Sequence, residues 1–314
     1  MIRKIFNSIL EQNTFPPQWS EYITILIPKP GNKGYRPIAL APNLLKLLEK
    51  IIKKRLDWYV ENDYIISPSQ FGFRKQKSTQ DSTTLLVSKA YLSLSKKQVF
   101  AFPMLDIEGA FDNVDPNTLI QDLIELKIGS KTTAFIQEIV SFRNISFYLK
   151  KKHIEDKPTT KGFPQGSVLS PILFNIYVRK IFCNMGQCSN FQIAEAIKED
   201  ANQLSHWLKQ RGLNIAPHKY QFILINNRRK SLKHIKIQID KTDIFAADQV
   251  KFLGVIFDSE LRWLPHIKDI KNRAMSTLNI LKAFSNKKFG VKPPLLLNTY
   301  KALTRSILEW GFSS

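Results

Sequence analysis

Cysteine is scarce in this chain: 314 residues carry two, Cys183 and Cys188. Two thiols make no disulfide framework, and no second Cys or His pair stands near them to complete a zinc site. The expected setting is therefore reduced and intracellular, in the nucleus, the cytoplasm or both. Negative charge is scarce as well, with 26 Asp plus Glu against 47 Lys plus Arg and a formal net charge of +21. An excess of that size points to a polyanionic partner. Long apolar runs are missing: "LLKLLEKII" is short and broken by Lys46 and Glu49, so neither a membrane span nor a membrane partner is expected. No repeat or low-complexity tract is present, which excludes a solenoid.

What is there belongs to a folded protein. Hydrophobic residues make up 43% and aromatics 11% of a chain long enough for two or three subdomains. Met1 to Leu10 places Ile2, Ile5, Phe6, Ile9 and Leu10 on one helical face, not in a signal peptide. A strand is expected over Tyr22 to Ile27, fenced by prolines. Asn43 is read as the cap of a helix along "NLLKLLEKIIKKRLDWYVEN", and Ser78 or Thr79 opens the next. Asp115 and Pro116 start a helix that Gly129 should terminate. "ISFYLKKKHIE" reads as strand, "KGFPQGS" as a loop, and Pro171 to about Phe182 as helix. A helix over 194–211 puts Ile197, Ala201, Leu204 and Leu208 on one face. Strands recur at "YQFILIN", "IKIQI" and "VKFLGVIFD", and the end reads helical. Helices and strands mix without regular alternation, an α+β layout.

The chemistry concentrates in "AFPMLDIEGAFDNV", where a buried strand from Val99 to Leu105 delivers Asp106 at its end. A lone carboxylate there looks like half of a metal site. About fifty residues on comes "GFPQGSVLSPILFNIY", and around the two lie "FPPQW", "LIPKPGNKGYRPIAL", "QFGFRKQKST", "GLNIAPHKYQF" and "VKFLG" in order. Together these blocks, spread from Phe15 to Gly311, resemble the reverse transcriptases of non-LTR retrotransposons of the insect type.

The resemblance implies a right-hand polymerase fold: N-terminal helix and fingers over 1–99, palm over 100–257 with an incomplete sheet, and a partial thumb over 258–314. It implies RNA-directed DNA synthesis on an RNA template and DNA primer from dNTPs, with Mg²⁺ as cofactor. Asp106 matches the first metal-binding and catalytic aspartate, and Lys219 the catalytic lysine near the leaving pyrophosphate. Phe111 matches the aromatic that packs on the incoming sugar. Gln165 is expected at the nucleotide or template, and Arg36 and Arg74 at the triphosphate or template backbone. Asp112 is expected to make a turn or cap contact. The basic stretch 226–237 suits phosphate contact.

The family also places a Tyr-x-Asp-Asp hairpin after the helix ending near Phe182. Here no Asp-Asp dipeptide occurs anywhere. About twenty residues are missing between Gln192 and Ala194, judged by the strand–turn–strand they would supply. Asp248 in "FAADQ" follows the lysine motif, in the wrong chain order, and Glu199 and Asp200 belong to a solvated helix face. Pro103 removes a ladder donor from the strand before Asp106, which only a bulge or an edge tolerates. The expectation is a reverse transcriptase domain with little or no activity in this copy. The alternative is a non-enzymatic nucleic-acid-binding remnant of a retroelement protein.

Overall fold

The computed structural model describes residues 1–29, 31, 34–183, 193–226, 235–239, 242–285 and 290–309. In chain order these form α1 (Ile2–Gln12), β1 (Glu21–Pro28), β2 (Tyr35–Leu40), α2 (Asn43–Asn62), α3 (Thr79–Ser95), β3 (Phe100–Met104), β4 (Ile107–Glu108) and α4 (Pro116–Glu125). There follow α5 (Ser130–Ser141), β5 (Arg143–Leu149), β6 (Lys152–Thr159), α6 (Ser170–Tyr177), α7 (Ile193–Gln210), β7 (Asn214–Ile215) and β8 (Gln221–Ile225). Then come β9 (Lys236–Ile239), β10 (Thr242–Phe245), β11 (Gln249–Phe252), β12 (Val255–Asp258), α8 (Leu264–Phe284), α9 (Pro293–Thr299) and α10 (Ser306–Glu309). Residues 184–192, where the expected hairpin would begin, both cysteine side chains and residues 227–234 of the basic stretch lie outside the described residues.

Two compact units form, each from three separated stretches. One comprises Met1–Lys75, Ile107–Gly186 and Asn202–Ala216; the other comprises Gln76–Asp106, Gln187–Ala201 and Pro217–Ser314.

The first unit holds a four-stranded sheet in the order β2-β1-β5-β6, with β1 and β5 parallel and the other pairs antiparallel. Along β1 burial alternates strictly at first: Tyr22 and Thr24 are buried while Ile23 and Ile25 are exposed, as the period of two demands. "ISFYLKKKHIE" is a hairpin, not one strand. Leu149 pairs with Lys152 across Lys150 and Lys151, both at positive φ (48° and 69°), the signature of a two-residue primed turn. The cap assignments divide. Asp115 accepts from the Thr118 amide as expected, but Pro42, not Asn43, precedes α2. Gly129 does not end α4; it opens α5. Lys127, at φ 54°, turns the chain, and the Ile128 amide reaches back to the Leu123 carbonyl, satisfying an otherwise orphaned acceptor.

A buried ionic cluster joins α4 to the residues that follow α6 and α7. Asp122 receives Arg179 at 2.9 Å and also pairs with Arg211, whose guanidinium stacks 4.3 Å over the Tyr177 ring. Both Asp122 oxygens thus meet opposite charge, which offsets their desolvation.

In the second unit β3 and β8 pair antiparallel, Met104 opposite Gln221 and Phe100 opposite Ile225. Alternation gives this ribbon two apolar faces. Ile223 and Ile225, with Phe100 and Phe102, pack with Ala90 and Leu94 of α3 and Phe257 of β12. Phe222 and Leu224 pack with Ile197 and Ala201 of α7. Ser78 and Asp81 complete a reciprocal capping box at the start of α3, the local signal that fixes where it begins. Among the described residues β3 pairs only with β8. The Ala247 amide donates to the Phe222 carbonyl at 2.9 Å, so Phe222 faces away from β3. Its partner Pro103 is therefore in a non-hydrogen-bonded pair and its nitrogen points outward. Proline is accommodated because, among the described residues, no strand pairs with that side of β3.

Candidate active site

Antiparallel pairing creates the first cluster. The C-terminal end of β3 meets the N-terminal end of β8, so Asp106 just beyond one strand reaches Lys219 just before the other. The Lys219 Nζ donates to an Asp106 oxygen at 2.7 Å across 113 residues of chain. Both side chains are about half exposed, so solvent screens the pair and it contributes at most about 1 kcal/mol to stability. Its interest is its position: a carboxylate and an ammonium held at a sheet end and open to solvent.

The second cluster, in the other unit, is built around the loop "GFPQGS". The Gly162 amide donates to the Val114 carbonyl at 2.8 Å, and the Phe163 amide to the Phe111 carbonyl at 2.7 Å. On its far side the Gln165 carbonyl accepts from the Ala39 amide of β2 at 2.6 Å. Gly166 sits at φ +131°, and a Cβ there would fall on the Ala39 carbonyl oxygen. Only glycine permits that approach.

A buried carboxylate anchors the loop from below. Glu49 of α2 accepts from the Ser167 hydroxyl at 2.7 Å and from the Val168 amide at 2.9 Å. Burial pushes its carboxyl above the usual range, while those two bonds and Lys46 pull it down. Nothing in the motifs named Glu49. Its signal was an acid among Leu45, Leu48, Ile52 and Leu56, on the apolar face of an amphipathic helix, where a lone polar residue must have a partner.

The loop covers a cavity of about 590 Å³ bounded by Arg36, Ile38, Phe73, Phe111, Gln165 and Gly166, among others. That volume suits a small ligand. Phe111 stacks on Phe174, centroids 4.9 Å apart, and meets Phe73 and Phe163 edge-on. The Gln165 amide is held by Asp112: its Nε2 donates to the two carboxylate oxygens at 3.0 and 3.2 Å. Asp112 also donates its amide to the Gly109 carbonyl at 2.9 Å, the turn expected of it. Arg36, on β2, is exposed and borders the cavity.

Arg74 is placed differently from Arg36. Its Nε and Nη2 grip both oxygens of Glu61 at 2.8 and 2.6 Å, and Nη1 donates to the Ser67 and Gln70 carbonyls. The Glu61 bond raises its pKa further. These bonds tie the end of α2 to the loop that follows, because a buried guanidinium must satisfy its donors locally. Arg36, Phe111 and Gln165 share one cavity, Asp106 and Lys219 form one pair, and Arg74 braces the protein.

Reverse transcriptases generally use divalent metal ions. Among the described residues no group of three or more His, Cys, Asp or Glu side chains could hold one. Asp106, already paired with Lys219, is one carboxylate where a two-ion centre needs several, so the described residues do not fit that group.

The fold is that of a polymerase. Solved structures of telomerase match it: one from Candida tropicalis in complex with a TWJ fragment of telomeric RNA has a TM-score of 0.54 at 13% identity, covering 99% of this chain and 58% of that one. Another, from Candida albicans in complex with the same kind of fragment, has a TM-score of 0.53 at 11% identity, covering 98% and 59%. The family model for reverse transcriptase (RNA-dependent DNA polymerase) matches residues 27–257, and the chain belongs to that family. Its relatives include the probable RNA-directed DNA polymerase from transposon BS of Drosophila melanogaster, 25% identical over 90% of this chain and 34% of the relative. The polymerase from the mobile element jockey of the same fly is 26% identical over 98% and 36%. The domain is thus of the non-LTR retrotransposon type. The chain spans about a third of the length of these relatives.

Proposed function

We propose that this chain binds an RNA template and a DNA primer as a reverse transcriptase domain, and that as written it extends the primer little or not at all. The observation that carries the second clause is the single carboxylate, Asp106, in a sequence without an Asp-Asp dipeptide. Two divalent ions about 4 Å apart repel by roughly 17 kcal/mol at an effective dielectric near 20. One exposed aspartate does not offset that. The alignment with the transposon BS polymerase supports a lost segment: it runs to 313 residues while covering 90% of this chain. The relative therefore carries residues with no counterpart here.

In this reading Phe111, Gln165 and Arg36 form the nucleotide pocket, and Asp106 and Lys219 are the remaining catalytic pair. Arg74 acts through the fold around it, and Mg²⁺ is the ion the complete site would take. The setting is intracellular, nuclear or cytoplasmic. Retained template binding without chemistry, the remnant reading, is favoured by the net charge of +21, which serves binding alone.

The test is primer extension on an RNA template with Mg²⁺ and then Mn²⁺. This chain is compared with a version carrying a Tyr-Ala-Asp-Asp hairpin between Gln192 and Ala194. Activity in the restored protein alone is expected. Robust extension by both would overturn the impairment, and extension by neither would leave only the binding role.

A further inference from the structure

A second cavity lies behind the Gln165 loop, in the same unit, and no role has been given to it. Its volume is about 320 Å³, at the small end of ligand sites. It shares Pro37, Asp112, Pro164 and Gln165 with the larger cavity, so the loop is a wall common to both. Three cationic residues, Arg143, Lys157 and Lys161, line it, with Asp112 as the acidic one. The Asp112 carboxylate faces the Gln165 amide, and three cations against that one anion give the cavity an excess of positive charge.

Arg143 is the informative member. Its residue is 2% exposed, yet its guanidinium meets only carbonyls: Ile139 at 3.0 Å, Lys161 at 2.6 Å and Gly162 at 3.0 Å. Its Nε is buried with no hydrogen-bond partner. Among the described residues no carboxylate pairs with it, unlike Arg74, Arg179 and Arg211. A buried cation is ordinarily paired. Here two further cations border the same hollow in place of a counter-ion, and Lys157 and Lys161 are exposed on its rim.

We propose that this cavity is an anion subsite for one backbone phosphate of a single-stranded nucleic acid, the nucleotide next to the one that meets Gln165. The inference rests on the nucleic-acid-binding reading above. The shared wall gives it its geometry: a strand with one residue against Gln165 in the larger cavity can place the adjoining phosphate in the smaller. Lys157 and Lys161 supply the direct contacts and Arg143 the buried charge behind them.

The test measures fluorescence anisotropy of a labelled primer–template with a single-stranded RNA overhang, over a potassium chloride series. The Lys157→Gln/Lys161→Gln double variant should bind roughly five- to tenfold more weakly near physiological salt. Its slope of log affinity against log salt should shrink by about 0.7 for the one phosphate lost. Lys157→Arg/Lys161→Arg should restore both. Lys50→Gln/Lys54→Gln, on exposed positions of α2, controls for charge alone. Overhangs carrying one neutral methylphosphonate at successive positions give the decisive readout. One position should weaken the unsubstituted chain and leave the Lys157→Gln/Lys161→Gln variant unaffected. Equal losses in the α2 control, or no privileged phosphate, would overturn the subsite while leaving nucleic-acid binding intact. No binding by the unsubstituted chain would instead overturn the parent reading and the subsite with it.

Discussion

Replacing Glu49 by leucine removes both acceptors beneath the Gln165 loop. The residue is fully buried, so water does not take their place. The Ser167 hydroxyl and the Val168 amide each lose a partner held at 2.7 and 2.9 Å. Stranding a buried donor costs about 1–3 kcal/mol, and leucine recovers about 1 kcal/mol by sparing a buried carboxylate its desolvation. The net expectation for Glu49→Leu is a destabilisation of about 1–5 kcal/mol. Ser167→Ala should cost about 1–2 kcal/mol, and the double variant less than the sum, because the two share one interaction. Glu49→Gln keeps one acceptor for the Val168 amide and a donor for the Ser167 oxygen, so it should lose little. The sign of its pH dependence is opposite to that of a surface carboxylate. Burial raises the Glu49 pKa in the fold, so the folded chain holds the proton longer than the unfolded one. Stability from this group is therefore present below the unfolded value and declines as pH rises through the folded one. Urea titrations from pH 4.5 to 8, followed by circular dichroism, would show the decline in the native chain and its removal in Glu49→Gln. Glu49→Leu within about 0.5 kcal/mol of the native chain would refute the anchoring role.

Three further outcomes are expected. Asp122→Ala takes from buried Arg211 its carboxylate and leaves Arg179 with Glu125 alone, so it should destabilise by about 3–5 kcal/mol in urea unfolding, with Asp122→Asn intermediate. Lys219→Ala opens a half-exposed pair, so its unfolding midpoint should move by less than about 1 kcal/mol; a larger shift would mean the pair is structural. Burial holds His266 below its ordinary pKa, and its Nδ1 accepts from the Ile256 amide. Stability should therefore be full above about pH 6.5 and fall as pH drops through the histidine range. His266→Gln should flatten that fall in denaturant melts run from pH 7.5 to 5.5.

Local chemistry was legible in the sequence where its partners are local. Ser78 with Asp81, and Asp115 with Thr118, lie three residues apart and announce their helix starts. The strand that ends at Asp106 and the loop at Gln165 were visible because period and glycine mark them. The supports of the site were not visible. Glu49 reaches Ser167 across 118 residues and Asp112 reaches Gln165 across 53. Periodicity tells which face of an element is buried, never what it meets there. Arg74 shows the same limit: its motif suggested a phosphate, while its surroundings hold Glu61 and two carbonyls. Gly129 was misread because a glycine beyond a helix equally marks the start of the next, and a lysine can adopt the left-handed turn.

Pro103 has a further effect on how the chain behaves in company. Of the five residues of β3, Ala101 and Pro103 turn their backbone nitrogens toward the open side, and only Ala101 has a hydrogen to offer there. An edge strand with a full row of donors invites neighbouring molecules to add strands and aggregate. This one presents a broken row, flanked by Phe100 and Phe102 whose rings are drawn into the packing of their own unit. Among the described residues, proline thus sits as a gatekeeper would on the strand that leads to Asp106, withholding one donor from any strand that would add there.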